Sequence, residues 1–184
     1  MPESDEAIYR RYLTSGNEDD LRILLTRYRE GLTLFAYGTL RDLDEAEEVM
    51  IDALAVVASG TSRFDGRSSF RTWLFSIARK LAASRVRRRR FFLEPLRDQA
   101  DEELPPPDFD ILAEERNRAL YQALNRISPD YRQVLYLLYF EEMEIEEAAR
   151  VMRKSVRQVY NLSYRGKQAL REMLARMGIT DADV

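Results

Sequence analysis

Arg67, Arg71, Arg79, Lys80, Arg85 and the run Arg87 to Arg90 share a stretch with no acid between Gly66 and Leu93. Phe64, Phe70, Trp73 and Phe75 are interleaved with them. Guanidinium and ammonium groups gathered in this way bind polyanions, and aromatic faces stack on unpaired bases. The mixture points to nucleic acid. A second group follows at Arg153, Lys154, Arg157 and Arg165, with Gln158, Asn161 and Tyr164 among them. Arg, Asn and Gln match the donor and acceptor edges of guanine and adenine in a major groove. Catalysis is poorly served. The 184 residues contain no His and no Cys, which removes the commonest general base, the thiolate nucleophile and the disulfide. There is no glycine-rich phosphate loop, and the carboxylates fall on helix surfaces without an evident partner. The chain reads as a binding protein without a cofactor or metal site.

The elements that position these residues are helices. Asp5 to Leu13 is a short helix that Thr14-Ser15-Gly16-Asn17 interrupts. Asn17 caps a second, over about 18–41, with Asp20 as a capping-box-like acid three residues on. Leu21, Leu24, Leu25, Tyr28, Leu32 and Phe35 keep helical spacing along it. Asp42 or Asp44 opens a third helix that Gly60 ends. Its core side is Ala46, Met50, Ala53, Leu54 and Val57, and its outer side is Asp44, Glu45, Glu48 and Asp52 around Ile51. An apolar residue inside a charged ring is the composition of a docking surface. The segment 60–69 is a loop, and Ser69 caps the basic helix. At about 100° per residue, Phe70, Trp73, Leu74, Ile77 and Leu81 share its core face. Phe75 falls on the other side as a candidate base-stacking ring.

Residues 93–112 read as an acidic, proline-containing linker in which Pro105-Pro106-Pro107 cannot continue a helix. Beyond Ala113, Leu120, Leu124 and Ile127 mark a helix, and Ser128-Pro129 opens the next at about 129–141. Helices at about 145–152 and 156–177 follow, the second opened by a Ser155/Gln158 capping box and closed by Gly178. Two helices joined by a tight basic turn form a helix-turn-helix. Val156, Val159, Gly166, Leu170, Met173 and Met177 point inward; Arg157, Asn161, Tyr164, Arg165 and Gln168 point away. A recognition helix reads bases with its N-terminal turns, so Arg157, Gln158 and Asn161 are readers and Arg153, Lys154 and Arg165 phosphate clamps. The expected fold is all-α: a helical domain at 1–92, the linker at 93–112, and a second helical domain at 113–184.

The net charge of −3 hides this segregation. Basic charge collects at 63–90 and 150–176, acid at 42–52, 94–115 and 141–147, so more than one partner is expected. The longest apolar run, Val134 to Phe140, is far short of the roughly 20 residues of a membrane span. The N-terminus lacks a signal-peptide pattern. A cytoplasmic protein without membrane insertion is expected.

Arg63-Phe64, Arg67-Ser68-Ser69-Phe70-Arg71-Thr72-Trp73-Leu74-Phe75 and Ile77-Ala78-Arg79 together resemble region 2.3–2.4 of the bacterial sigma-70 family, in its extracytoplasmic-function group. Ala46-Glu47-Glu48 and Asp52-Ala53-Leu54 are similar to region 2.2, and Ser128-Pro129 with Arg132, Val134-Leu135 and the helix-turn-helix to region 4. The resemblance covers about 20–176. It implies a non-catalytic sigma factor whose partners are core RNA polymerase, promoter DNA and an anti-sigma factor. Asp44, Glu47, Glu48, Ile51 and Asp52 would dock on the β′ clamp helices, and region 4 on the β flap. Phe64, Arg67, Ser68 and Ser69 would line the −10 pocket. Arg71, Phe75, Arg79 and Lys80 would hold the unpaired strand, with Arg87 and Arg88 on nearby duplex phosphate. Arg153, Lys154, Ser155, Arg157, Gln158, Asn161, Tyr164 and Arg165 would meet the −35 element. The acidic linker, with Asp101, Glu102, Glu103 and Asp108, would lie in the polymerase's RNA path. The chain departs from the family pattern at Ile51, where Gln is usual, and at Arg153, where a turn glycine is common. Lys80 and Ser84 depart too, where Asn and Asp are frequent. A free-standing helix-turn-helix regulator is the competing reading, but it leaves the 64–90 block unused. A pure interaction module would make both basic groups incidental.

Overall fold

A computed structural model describes residues 3–92 and 115–179. The acidic linker with Asp101, Glu102, Glu103 and Asp108, and the expected domain start at Ala113, lie outside the described residues. The regular elements among the described residues are helices, in the order α1 (Asp5–Ser15), α2 (Glu18–Leu40), α3 (Leu43–Ser59), α4 (Phe70–Phe92), α5 (Glu115–Arg126), α6 (Pro129–Leu135), a π-helical turn (Tyr136–Phe140), α7 (Ile145–Met152) and α8 (Val156–Arg176). The chain forms two compact units, Met1–Arg85 and Val86–Val184.

Local caps set the helix limits in the first unit. Ser4 accepts from the Ala7 amide at 3.3 Å, Asn17 from Asp19 at 3.0 Å, and Asp42 from Glu45 at 2.9 Å. Each satisfies an amide that the helix leaves without an internal partner. Gly16 and Gly60 close α1 and α3 in the left-handed region, at φ 67° and 64°. Asp20 does not complete a capping box. It is buried, and the exposed Arg11 of α1 holds it through its Nε and one terminal nitrogen, at 2.9 and 2.5 Å. An ion pair across helices won over the local bond because α1 packs against α2 at that turn.

The core of this unit joins Ile8 and Tyr9, Leu24, Leu32 and Phe35, Ala46, Leu54 and Val57, and Phe70, Leu74, Phe75 and Ala78, all buried. This corrects the phase expected for α4. Phe75 is fully buried, its ring 5.3 Å from that of Phe35 and 6.5 Å from Tyr28. Trp73, Ile77 and Leu81, expected in the core, are half-buried. The buried strip is the i, i+4 row Phe70, Leu74, Ala78, Ala82, with Phe75 beside it. Burying a ring of this size stabilises by roughly 1.5–3 kcal/mol. Phe75 therefore cannot stack on a base.

In the second unit Ser128 and Pro129 open α6 as expected. Arg132 is buried and donates to the carbonyls of Leu124, Asn125 and Ile127 at 3.0, 2.9 and 3.0 Å, which ties α6 to the end of α5. The helix expected to continue to 141 widens instead into the π-helical turn, where the Glu141 amide donates to Tyr136 at 3.1 Å. Stacked rings of Tyr136 and Phe140, 5.2 Å apart, lie along that turn. Gly166 of α8 faces α6. A Cβ there would sit 3.3 Å from Leu135 Cγ, so the glycine permits the close helix contact.

Candidate nucleic-acid interface

The loop 60–69 and the start of α4 form one candidate surface. Ser69 caps α4, its hydroxyl accepting from the Thr72 amide at 3.2 Å and lying 2.8 Å from the Thr72 hydroxyl. Phe64 is half-buried in an aromatic group, with ring centroids 5.3 Å from Trp73, 6.0 Å from Phe70 and 6.1 Å from Tyr9. Phe64 and Trp73 are half-buried there, whereas Phe70 and Tyr9 are buried. Trp73, read from its spacing as core, is half-buried, whereas Phe75, read as outward, is buried. Arg67 is exposed at the loop tip, its Nε 3.3 Å from Asp65. Ser68 is half-buried, Arg71 and Arg79 are half-buried, and Lys80, Arg87 and Arg88 are exposed. Cations and half-buried aromatic rings thus share the loop and α4, a composition suited to an unpaired strand.

On α3 the acidic face is real and Ile51 is 58% exposed within it. Asp44, Glu48 and Asp52 are exposed, Glu47 is half-buried, and Glu45, expected outside, is half-buried. Arg85 of α4 reaches this face, donating to Glu48 at 2.5 Å and Asp52 at 2.8 Å. Those hydrogen bonds raise its pKa, Glu48 contributing most. Carboxylates four residues apart on one helix face signal a cation between them, but nothing local says which of the arginines supplies it.

The α7–α8 pair carries the third surface. Arg153 closes α7 with φ 53°, ψ 45°, a left-handed conformation that favours glycine. It is exposed. Ser155 and Gln158 form the expected capping box, at 3.2 and 2.8 Å. The Gln158 carbonyl oxygen is therefore engaged, and only its amide nitrogen is left to meet a base. Arg157, Asn161 and Arg165 are exposed, and Tyr164 is 62% exposed and accepts from Gln168 at 3.3 Å. Lys154 is half-buried and paired with Asp130 of α6 at 3.1 Å. Val159, Ser163 and Gly166 face inward, and Leu170, Met173 and Met177 are half-buried. Val156, expected inward, is 46% exposed. Among the described residues, no helix is long and apolar enough to cross a membrane.

Residues 24–92 match the family model for sigma-70 region 2, and residues 117–170 that for sigma-70 region 4. The ECF RNA polymerase sigma factor SigX of Bacillus subtilis is 28% identical over 163 residues, covering 84% of each chain. The fold is that of CnrH, solved in complex with the cytosolic domain of CnrY, at a TM-score of 0.68 and 21% identity over 95% of this chain and 99% of that one. It is also similar to the sigma factor RpoE of Bartonella quintana, solved with the anti-sigma factor NepR, at a TM-score of 0.64 and 22% identity over 85% and 97%.

Proposed function

Because the chain belongs to the sigma-70 family, in its extracytoplasmic-function group, we propose the following division of labour for its surfaces. The acidic face of α3, with Asp44, Glu47, Glu48 and Asp52 around Ile51, docks on the β′ clamp helices of core RNA polymerase, and the second unit on the β flap. The loop 60–69, with Phe64, Arg67, Ser68 and Ser69, captures bases of the −10 non-template strand once they leave the stack. Trp73, Arg71, Arg79 and Lys80 hold that strand, and Arg87 and Arg88 meet duplex phosphate. Aromatic stacking of about 1–3 kcal/mol per base offsets the cost of unstacking.

The exposed face of α8 enters the major groove of the −35 element. Arg157 and Asn161 read base edges, with the Gln158 amide nitrogen as a further donor. Arg153, Arg165 and Lys154 contact phosphate, Lys154 by exchanging its Asp130 partner; Ser155 holds the turn and Tyr164 covers the next. The protein is a non-catalytic specificity subunit that works in the cytoplasm. An anti-sigma factor that covers the α3 face and α8 would control it.

The observation that carries this reading is that one chain presents both an aromatic-basic face and a helix-turn-helix with exposed polar readers. A helix-turn-helix regulator acting alone has no use for the first. Run-off transcription with purified core polymerase on the promoter upstream of the protein's own gene tests it. A transcript from a defined start, lost with Arg79→Ala, is expected. Absence of core binding, together with tight duplex binding by the protein alone, would overturn it in favour of the free-standing regulator.

A further inference from the structure

Helix α1 lies before the region-2 match at 24–92, yet it holds both ends of the 60–69 loop. On the side where the loop leaves α3, the Tyr9 hydroxyl donates to the Val57 carbonyl at 3.2 Å and the Tyr12 hydroxyl to Ala58 at 3.0 Å. These are carbonyls of the last turn of α3, which lack a partner inside the helix; Val57 also accepts from the capping Gly60 amide at 3.4 Å. On the side where the loop enters α4, Glu6 Oε1 accepts from the Phe70 amide at 2.7 Å. The first turn of α4 contains no acid of its own, so Glu6 supplies the negative charge that a helix N-terminus favours. Ser69 satisfies the Thr72 amide two residues on. Between these anchors the Tyr9 ring lies 6.1 Å from Phe64, 5.1 Å from Phe70 and 5.6 Å from Trp73. Arg27 and Tyr28 of α2 both bond Asp5, which fixes α1 in turn.

We propose that α1 is a clamp that sets the shape of the −10 loop, with Glu6 as its positioning residue and Tyr9 as the floor under Phe64. Glu6 acts through the Phe70 amide and touches no DNA. The inference rests on the −10 role proposed above for the loop. With Glu6 removed, the first amide of α4 loses its partner and the Phe64–Trp73 pair is no longer held in one arrangement. Capture of an unpaired base, and the choice among bases, then weaken, while the α3 docking face is untouched.

The test uses the full chain with core polymerase. It measures core affinity, permanganate reactivity of promoter thymines, and the discrimination among non-template oligonucleotides that differ at one −10 base. Glu6→Ala should lower open-complex reactivity and base discrimination about five- to tenfold, with core affinity within about twofold of wild type. Glu6→Gln, which keeps an amide acceptor, should recover most of both. Arg67→Ala, a change in the loop itself, separates the two levels of the argument. If Arg67→Ala melts and discriminates as wild type does, the −10 reading of the loop fails. If Arg67→Ala is impaired and Glu6→Ala is not, the clamp is overturned. Equal losses of core binding and melting in Glu6→Ala would overturn it too, because they would mark a general loss of fold.

Discussion

Arg85 of α4 and Glu48 of α3 are joined at 2.5 Å, and the same guanidinium meets Asp52 at 2.8 Å. The pair links the basic helix to the acidic face proposed for polymerase docking. A partner that needs those carboxylates must compete with Arg85 for them. All three side chains are partly exposed, so the bridge is worth about 0.2–1 kcal/mol at most. Arg85→Ala should leave thermal stability nearly unchanged and tighten core binding up to about fivefold at low salt. Equilibrium titration of core polymerase at two ionic strengths measures this, and the gain should shrink at the higher one.

Arg153 occupies a backbone conformation that an L side chain adopts at a cost of about 1–2 kcal/mol. Glycine would relieve it, at the expense of a more flexible unfolded chain. Arg153→Gly should therefore raise stability modestly, by about 1 kcal/mol or less, while weakening promoter binding. If the guanidinium contacts phosphate, the salt slope of binding should fall by about 1. Thermal melting and binding titrations over a salt series separate the two effects. A stabilised variant with an unchanged slope would remove Arg153 from the interface.

Phe75 and Trp73 should respond in opposite ways to truncation. Phe75→Ala removes a fully buried ring and should cost about 3–5 kcal/mol of stability, read by chemical denaturation. Trp73→Ala removes a half-buried ring of the aromatic group and should cost less stability, but should lower permanganate reactivity of the promoter several-fold while core binding persists.

The same pair shows what the sequence could and could not disclose. Helix limits were legible because Asn17, Asp42, Ser69 and Ser155 act within three residues of their own position. The basic and acidic segregation, and the polar face of α8, were legible for the same reason. Rotation of α4 was not, because Phe70 to Ala82 carries large apolar groups over more than half its circumference. Contacts of α4 with Tyr28 and Phe35 on α2 chose among them. Contacts across 37 and 64 residues, Arg85 with Glu48 and Phe70 with Glu6, have no local signal at all. Val156 was misplaced because apolar character in a first turn is read as core, whereas its side chain is 46% exposed.

Asp20 and Arg11 provide a pH test of how α1 is held. Hydrogen bonds from Arg11 keep the Asp20 carboxyl below the usual carboxylate range, against the opposing effect of burial. A carboxyl depressed in the folded state binds fewer protons there than in the unfolded chain. Its contribution is therefore complete above the ordinary carboxylate pKa of about 4. It declines as pH falls through the lower folded value. Asp20→Asn should reduce thermal stability at neutral pH, and the gap to wild type should stay constant down to about pH 5 and then close toward pH 2. Melting curves across that range measure it. A gap that does not narrow in acid would assign the loss to packing of the buried side chain. Asp20→Asn should also impair promoter melting, because the α1 that carries Arg11 carries Glu6 as well.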